Sequence, residues 1–226
     1  MNETYFSDIG SKIIPYDISG DVINFAKLAK YPNESYFAAN SSEMEFDPRY
    51  HNHIYVGLNN ELWKSTDKGQ SFDLINTFGT NADAPVFHFD ISRSNPDVIY
   101  VYQRTSFYGA VLWKSEDGGF SWVQKDFPSA GSQRSGVMTL DPEDENHIYV
   151  GFAHQNNDGR KVFESKDGGD TWINLSTPTL DGQQVHALFY QGGSDEGLYL
   201  ASNKTVFTEM LPCRIGNCIM KTCLLY

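Results

Sequence analysis

Two carboxylates occupy equivalent positions at which paired acids could do chemistry. Glu45 and Asp90 each lie near the end of an alternating run of polar and apolar residues, and the two runs align with each other. Glycoside hydrolysis requires two carboxyl groups held roughly 5 to 9.5 Å apart. Thr139 and Phe189 occupy the same position in two later runs, so the alternative is that these acids end strands and bind water or backbone. No complete catalytic set is visible, and these two residues are the only catalytic candidates.

Three octapeptides share the pattern Ser-x-Asp-x-Gly-x-Ser/Thr-aromatic, and their serines lie 50 residues apart. The Asp can accept hydrogen bonds from turn amides, the Gly permits a positive φ, and the Ser hydroxyl can satisfy a further local donor. The closing aromatic is expected to pack inward. The motif therefore predicts a hairpin turn with a structural role. Its residues are Ser65, Asp67, Gly69 and Phe72, then Ser115, Asp117, Gly119 and Trp122, then Ser165, Asp167, Gly169 and Trp172.

The elements between these turns are short strands. Ile-Tyr-Val runs at Ile54, Ile99 and Ile148, and Leu-Tyr-Leu at Leu198, follow polar turns, and each turn is preceded by an alternating run. Aromatic residues make up 14% of the chain and there are 19 glycines, which favours β-structure with tight turns. Four strands in about 50 residues is the signature of a β-propeller blade. We predict an all-β fold, an incomplete β-propeller of about four antiparallel four-stranded blades.

The loops that open opposite the octapeptide turns are the predicted binding face. The loop between the second and third strands is longer in the second and third repeats than in the first. Guanidinium groups, amides and aromatic rings on such loops suit a sugar- or peptide-binding cleft, whereas a merely solvated loop surface is the alternative. The ligand-binding candidates are Arg104, Tyr108, Arg134, His154, Gln155 and Arg160, with Gln133, Gln183 and Gln184 in the loops between repeats.

Net charge and composition argue against nucleic-acid binding, a membrane span, a metal site and a cofactor. The net charge of −12 argues against nucleic acid, and no apolar run is long enough to span a membrane. The first 212 residues contain no cysteine, and no calcium-binding loop is present, so neither a metal nor a cofactor is expected. His53 and His147 share one register before the Ile-Tyr-Val strand, as do Asp47 and Asp141, which predicts turn residues rather than metal ligands.

The octapeptide resembles the Asp-box, or BNR repeat, over residues 44–178. Asp-box propellers include sialidases, xyloglucan hydrolases, sortilin-type Vps10 domains and photosystem-assembly-factor-like proteins. The resemblance implies that the boxes lie at the blade periphery, away from a ligand site. It also implies an extracellular or periplasmic protein, although residues 1–8 lack the pattern of a signal peptide. The Arg-Ile-Pro motif of sialidases is missing, since the one Arg-Ile pair, at Arg214, is followed by Gly216.

The predicted organisation has full blades at 44–78, 86–127 and 137–178, flanked by partial ones at 22–39 and 185–207. Residues 1–21 form an N-terminal segment. Residues 208–226 form an atypical tail that holds all three cysteines, for which a shifted reading frame and a native Cys-containing tail are the two hypotheses. At about 50 residues per blade the chain holds some four blades, whereas propellers of the family that it resembles close with six or more. The resemblance therefore implies a fragment of a secreted bacterial-type protein, with the rest of the propeller in a longer chain.

Two functions remain open from the sequence. The first is a non-catalytic propeller module that binds a polysaccharide or a protein on its long-loop face. The second is a fragment of a glycoside hydrolase, of xyloglucanase type rather than sialidase type, that uses the paired carboxylates. The first is favoured because no complete catalytic constellation is visible.

Overall fold

The computed structural model divides the chain into two compact units, residues 1–86 and 87–226. The residues that it describes are 5–9, 12–16, 41–79, 86–104, 109–125, 127–128, 136–153, 159–193, 197–204, 206–210 and 220–223. Regular structure in these ranges is β-strand, apart from one 3-10 turn at Pro178–Leu180. No helix in the described ranges is long and apolar enough to cross a membrane.

The first unit contains a hairpin and one four-stranded sheet. The hairpin pairs β1 (Tyr5–Ile9) with β2 (Lys12–Tyr16). The sheet, blade 1, consists of β3 (Ser41–Phe46), β4 (Ile54–Leu58), β5 (Glu61–Ser65) and β6 (Asp73–Thr77). Its core contains Trp63 and the octapeptide aromatic Phe72, packed with the apolar residues of β4.

The second unit contains three more four-stranded sheets. Blade 2 consists of β7 (Val86–Ile91), β8 (Ile99–Arg104), β9 (Ala110–Ser115) and β10 (Val123–Lys125). Blade 3 consists of β11 (Gly136–Leu140), β12 (Ile148–Phe152), β13 (Val162–Ser165) and β14 (Ile173–Asn174). Blade 4 consists of β15 (Val185–Gln191), β16 (Gly197–Ser202), β17 (Val206–Met210) and β18 (Met220–Cys223).

Each sheet is an antiparallel meander in which strands follow one another in chain order. Strands β4 and β12 are buried along their whole length, because both faces of a second strand are covered. In blades 1 to 3, the turn between the first and second strands and the octapeptide turn lie at one end of the sheet and are hydrogen-bonded to each other. The loop between the second and third strands lies at the other end. The all-β fold of four-stranded blades is therefore confirmed.

The core of the second unit lies between successive blades. Tyr100, Tyr102 and Leu112 of blade 2 pack against Met138 and Phe152 of blade 3 in one apolar cluster. A second cluster joins blade 3 to blade 4 through residues of β12 and β13 and of β15 and β16. Both clusters bury aromatic and β-branched side chains, which is the main stabilising contribution expected for such sheets.

The structure describes part of the predicted C-terminal tail but none of the predicted N-terminal partial blade. Strand β17 runs across residue 207, where the sequence places the start of the tail, and β18 lies within that tail and pairs with β17. The partial blade predicted for residues 22–39 lies outside the described residues.

Candidate functional site

The predicted binding face is described most fully at the loop end of blades 3 and 4. Here the loop that leads into β13 meets the connection from β14 to β15. The Gly159 backbone N–H donates to Asp181 Oδ1 at 2.8 Å, and Asn174 Nδ2 donates to the Gly159 carbonyl at 2.7 Å. Two loops from different parts of blade 3 are thus tied together by their own polar groups.

Gln183 and Gln184, which the sequence places on the binding face, have different surroundings. Gln183 is buried, and its Nε2 donates to the Thr179 carbonyl at 2.5 Å while its Oε1 accepts from Ser202 Oγ. Gln184 is half-buried, and its backbone N–H donates to Asn203 Oδ1 at 2.8 Å. The Gln183 amide therefore fixes the 3-10 turn to β16.

The side chains that this end presents to solvent include three charged ones. Arg160 and Asp181 are exposed, as is Lys204 in the hairpin turn between β16 and β17. A Cβ built on Gly182 would lie 3.8 Å from Lys204 Nζ, so Lys204 reaches the Asp181–Gly182 turn. Lys204 is not among the candidates named from the sequence. Its position in a polar turn between two strands is the signal that could have identified it.

The other ligand-binding candidates are described only in part. Arg104 is the last residue of β8, which places its backbone at the loop end of blade 2. Tyr108, Arg134, His154 and Gln155 lie outside the described residues, as does Gln133. Of the six candidates, Arg160 is the one whose side chain the structure describes.

The two candidate catalytic acids lie on first strands. Asp90 is on β7, half-buried, and its Oδ2 accepts from the Leu140 backbone N–H at 3.2 Å. Two residues earlier, His88 Nε2 lies 2.7 Å from the Met138 carbonyl, and because a carbonyl can only accept, Nε2 is the donor. Glu45 is on β3 of the first unit and is half-buried. Asp90 thus joins the first strands of blades 2 and 3.

The octapeptide turns repeat one hydrogen-bond network. In blade 2, Ser115 Oγ donates to Asp117 Oδ1 at 2.8 Å and accepts from the Gly119 N–H at 2.9 Å. Asp117 also accepts from the Ser121 N–H at 2.8 Å and from Ser121 Oγ at 2.6 Å. Blades 1 and 3 repeat these bonds around Asp67 and Asp167.

The electrostatics of these turns follow from that network. Hydrogen bonds from the Ser121 hydroxyl and N–H lower the pKa of Asp117 to about 2, and the corresponding donors do the same for Asp67 and Asp167. The carboxylate oxygens are used within the turn. In the described ranges, no group of three or more His, Cys, Asp or Glu residues is arranged to hold a metal ion.

The turn residues predicted from register lie where expected. The Asp47 N–H donates to the His53 carbonyl, and the Asp141 N–H donates to the His147 carbonyl, so each pair closes the turn between the first and second strands. These four residues lie at the octapeptide end of their blades, opposite the loop end.

Comparisons with solved structures identify the fold. A GH74 enzyme from Niastella koreensis is 16% identical with a TM-score of 0.65, over 97% of this chain and 36% of that chain. The GH74 xyloglucanase from Xanthomonas campestris is 16% identical with a TM-score of 0.63, over 97% of this chain and 33% of that chain. YCF48 bound to the D1 peptide is 16% identical with a TM-score of 0.54, over 81% of this chain and 54% of that chain.

These likenesses show a β-propeller fold, and the chain spans about a third of the length of the two GH74 enzymes. No curated protein matches the sequence. A family model does match: Sortilin-Vps10, described as sortilin, neurotensin receptor 3, aligns with residues 60–184. These 125 residues are more than half of the 226 and include all three octapeptides. The chain therefore belongs to the Sortilin-Vps10 family of β-propellers.

Proposed function

We propose that this chain is a non-catalytic propeller module that binds a polysaccharide or a protein at the loop end of its blades. The observation that carries the proposal is the loop end of blades 3 and 4. Internal hydrogen bonds hold Gly159 to Asp181 and Gln183 to Thr179, while Arg160 and Lys204 are exposed. Loops ordered before binding lower the entropic cost of ligand capture.

The surroundings of Asp90 give its carboxylate a structural role. Its carboxylate accepts a backbone N–H from the neighbouring blade, which stabilises the ionised form and ties the side chain to the fold. Glycoside hydrolysis needs one carboxyl group that remains protonated near neutral pH and a second that is ionised, so this hydrogen bond disfavours Asp90 as the general acid. The hydrolase fragment remains the competing function, with Glu45 as its second candidate acid.

The ligand classes are supported by analogy of fold. The similar structures include a xyloglucanase and a YCF48 propeller bound to a peptide. Arg160 and Lys204 supply charged donors that can bind peptide carbonyls, carboxylates or sugar hydroxyls.

The test is a binding assay with a matched control. The purified chain is titrated with soluble xyloglucan, with a panel of other polysaccharides and with a peptide array, and reducing ends are counted in parallel. We expect binding without new reducing ends. Arg160→Ala should weaken binding by about tenfold, as the loss of one charged hydrogen bond implies. Arg93→Ala is the control, because Arg93 is also exposed but lies in the opposite turn of blade 2.

Two outcomes would contradict the proposal. Release of reducing ends that Asp90→Asn abolishes would favour the hydrolase. Equal loss of affinity in Arg160→Ala and Arg93→Ala would mean that the loop end does not carry the ligand.

We also propose that the protein acts outside the cytoplasm, in the extracellular space or the periplasm, and that further blades come from a longer chain. The support is the fold and the fact that the chain spans about a third of the GH74 enzymes. Cell fractionation of the native host, followed by detection and sizing of the protein, tests both points. A cytoplasmic protein of this size would contradict both.

A further inference from the structure

His147 lies between two carboxylates at the octapeptide end of blade 3. Its Nδ1 is 3.0 Å from Asp141 Oδ2 and its Nε2 is 2.8 Å from Glu164 Oε1. The side chains of all three residues are close to nine-tenths buried. A neutral imidazole carries one N–H and can donate to one of these carboxylates, whereas the imidazolium donates to both. The geometry therefore favours the charged form.

The same group of side chains contacts blade 4. Tyr149 donates its hydroxyl to Glu164 Oε1 at 3.0 Å, and its ring stacks on Tyr190 of β15 with centroids 5.0 Å apart. The His147 ring lies 5.4 Å from the same Tyr190 ring. A change in the hydrogen bond between His147 and Glu164 thus alters how the rings of His147 and Tyr149 pack against Tyr190 of β15.

We propose that His147, Asp141 and Glu164 form a proton-dependent clasp, closed in mildly acidic solution and weakened above neutrality, that holds blade 4 against blade 3. The clasp is these three residues. Its closed state has an imidazolium between two carboxylates, and its open state has a neutral imidazole with a nitrogen lone pair facing one of them.

The groups around the clasp favour the charged forms of both His147 and Glu164. Burial alone would lower the pKa of His147, but hydrogen bonds to Glu164 and Asp141 outweigh it and raise the pKa above 6.5. Burial would raise the pKa of Glu164, but hydrogen bonds from His147 and Tyr149 outweigh it and lower the pKa below 4.5. Lys166, whose Nζ is 3.5 Å from Glu164 Oε1, is exposed and opposes the charge on His147 only weakly.

The sign of the pH dependence follows from these directions. A group whose pKa is raised on folding contributes stability that is fully present below its unfolded value and is lost as pH rises through the folded value. A lowered carboxyl contributes stability above its unfolded value, and this is lost as pH falls. Both contributions are therefore fully present between about pH 4.5 and 6.5.

The other repeats show that the clasp is particular to blade 3. Blade 1 has the equivalent Asp47 and His53, but its third strand carries Lys64, and His53 Nδ1 is 3.7 Å from Asp47 Oδ2. Blade 2 has Val98 in place of the histidine and Lys114 on the third strand. Glu164 is thus the residue that adds a second carboxylate in blade 3, where the first two blades have lysine.

The experiment measures hydrogen exchange at β15 and thermal unfolding between pH 5.5 and 8.5. In the unmodified chain we expect protection of Val185–Gln191 to fall as pH rises, after correction for the intrinsic exchange rate. The fall should reach up to about tenfold for each unit by which the His147 pKa is raised. Tm should fall in the same window.

The variants come from the chain's own repeats. His147→Val introduces the residue that blade 2 has at this position, and Glu164→Lys introduces the lysine of blades 1 and 2. Each should remove the pH dependence. His186→Ala is the control, since His186 is exposed on β15 outside the clasp and its loss should leave the dependence intact. If protection of β15 and Tm change with pH in His147→Val as they do in the unmodified chain, the proposal is overturned.

A second measurement does not depend on the variants folding. NMR titration of the imidazole carbon-bound protons in the unmodified chain gives the pKa of His147 directly. A value above 6.5 supports the clasp, and a value at or below 6.5 overturns it.

Discussion

Asp90 Oδ2 lies 3.2 Å from the backbone nitrogen of Leu140, so a carboxylate on the first strand of blade 2 is bonded to the first strand of blade 3. His88 donates to the Met138 carbonyl from the same strand. These two bonds link strands 50 residues apart in sequence, which is the length of one repeat. His88 and Asp90 of β7 therefore contribute to the contact between blades 2 and 3.

Replacement of Asp90 tests whether its hydrogen bond to Leu140 stabilises the blades. We expect Asp90→Ala to lower the free energy of unfolding by about 1–2 kcal/mol, because the Leu140 N–H loses a charged acceptor. Asp90→Asn should cost less than about 1 kcal/mol, since the amide oxygen can still accept. Urea denaturation followed by tryptophan fluorescence measures both. Equal and negligible effects of the two variants would show that the bond to Leu140 does not stabilise the blades.

Much of the fold could be predicted because the repeat encodes it locally. The octapeptide from Ser115 to Trp122 contains all the side chains of its own turn network, so most of its conformation is encoded locally. The Ile-Tyr-Val run at Ile148 is apolar on both faces, which indicates a strand covered on both sides. Turn and strand together repeat every 50 residues, and that spacing can be read from the sequence alone.

The candidate site could be predicted less well because it depends on contacts between loops. Gln183 looks like a binding residue in the sequence, but its amide is bonded to Thr179 and to Ser202, which lies 19 residues further along. His147 was expected to be a turn residue, and it is. The sequence pattern did not show that Glu164 would reach it, because that contact depends on the register between β12 and β13.

Lys68 holds a backbone conformation that glycine adopts in the next two repeats. Its φ is +62°, and the equivalent Gly118 and Gly168 have φ of +73°. Because the left-handed region costs a non-glycine residue about 1–2 kcal/mol, Lys68→Gly should stabilise blade 1 by about 0.5–1 kcal/mol after the extra unfolded-state entropy of glycine.

Thermal unfolding of Lys68→Gly beside Lys68→Ala measures this effect. Lys68→Ala removes the charge and keeps the Cβ, so it should not stabilise. If both variants raise Tm equally, the charge of Lys68 and not its backbone conformation is the cause.

The Asp-box carboxylates should make the blades sensitive to strong acid. Hydrogen bonds from the Ser71 hydroxyl and N–H lower the pKa of Asp67 from 3.8 to about 2. A lowered carboxyl contributes stability above its unfolded value, and the contribution is lost as pH falls through the folded value. We therefore expect stability to fall between about pH 4 and pH 2, and Asp67→Asn to flatten that fall.

Circular dichroism during acid titration provides the measurement, and Asp73→Asn is the control because Asp73 is an exposed acid six residues away. An acid transition that Asp73→Asn shifts as much as Asp67→Asn would assign the effect to net charge instead of the turn.

Gly136 lies at the start of β11, next to Tyr102 of blade 2. A Cβ at this position would lie 2.5 Å from Tyr102 Cε1 and 2.9 Å from the Gly151 carbonyl oxygen. Tyr102 is fully buried and stacks on Phe127 with centroids 5.0 Å apart, so its ring has little room to move, and the carbonyl belongs to the paired strand β12. Gly136→Ala should therefore destabilise the second unit by about 1–3 kcal/mol, the usual cost of overpacking.

Gly197 provides the matched comparison for Gly136. It is likewise a glycine at the start of a strand, but the nearest atom to its added Cβ would be Tyr199 Cε2 at 3.7 Å, an ordinary contact distance. Gly197→Ala should be nearly neutral in the same urea denaturation, since the methyl group fits without displacing a neighbour. A similar cost for the two alanines would mean that the close approach of Gly136 to Tyr102 and Gly151 does not limit the packing of blades 2 and 3.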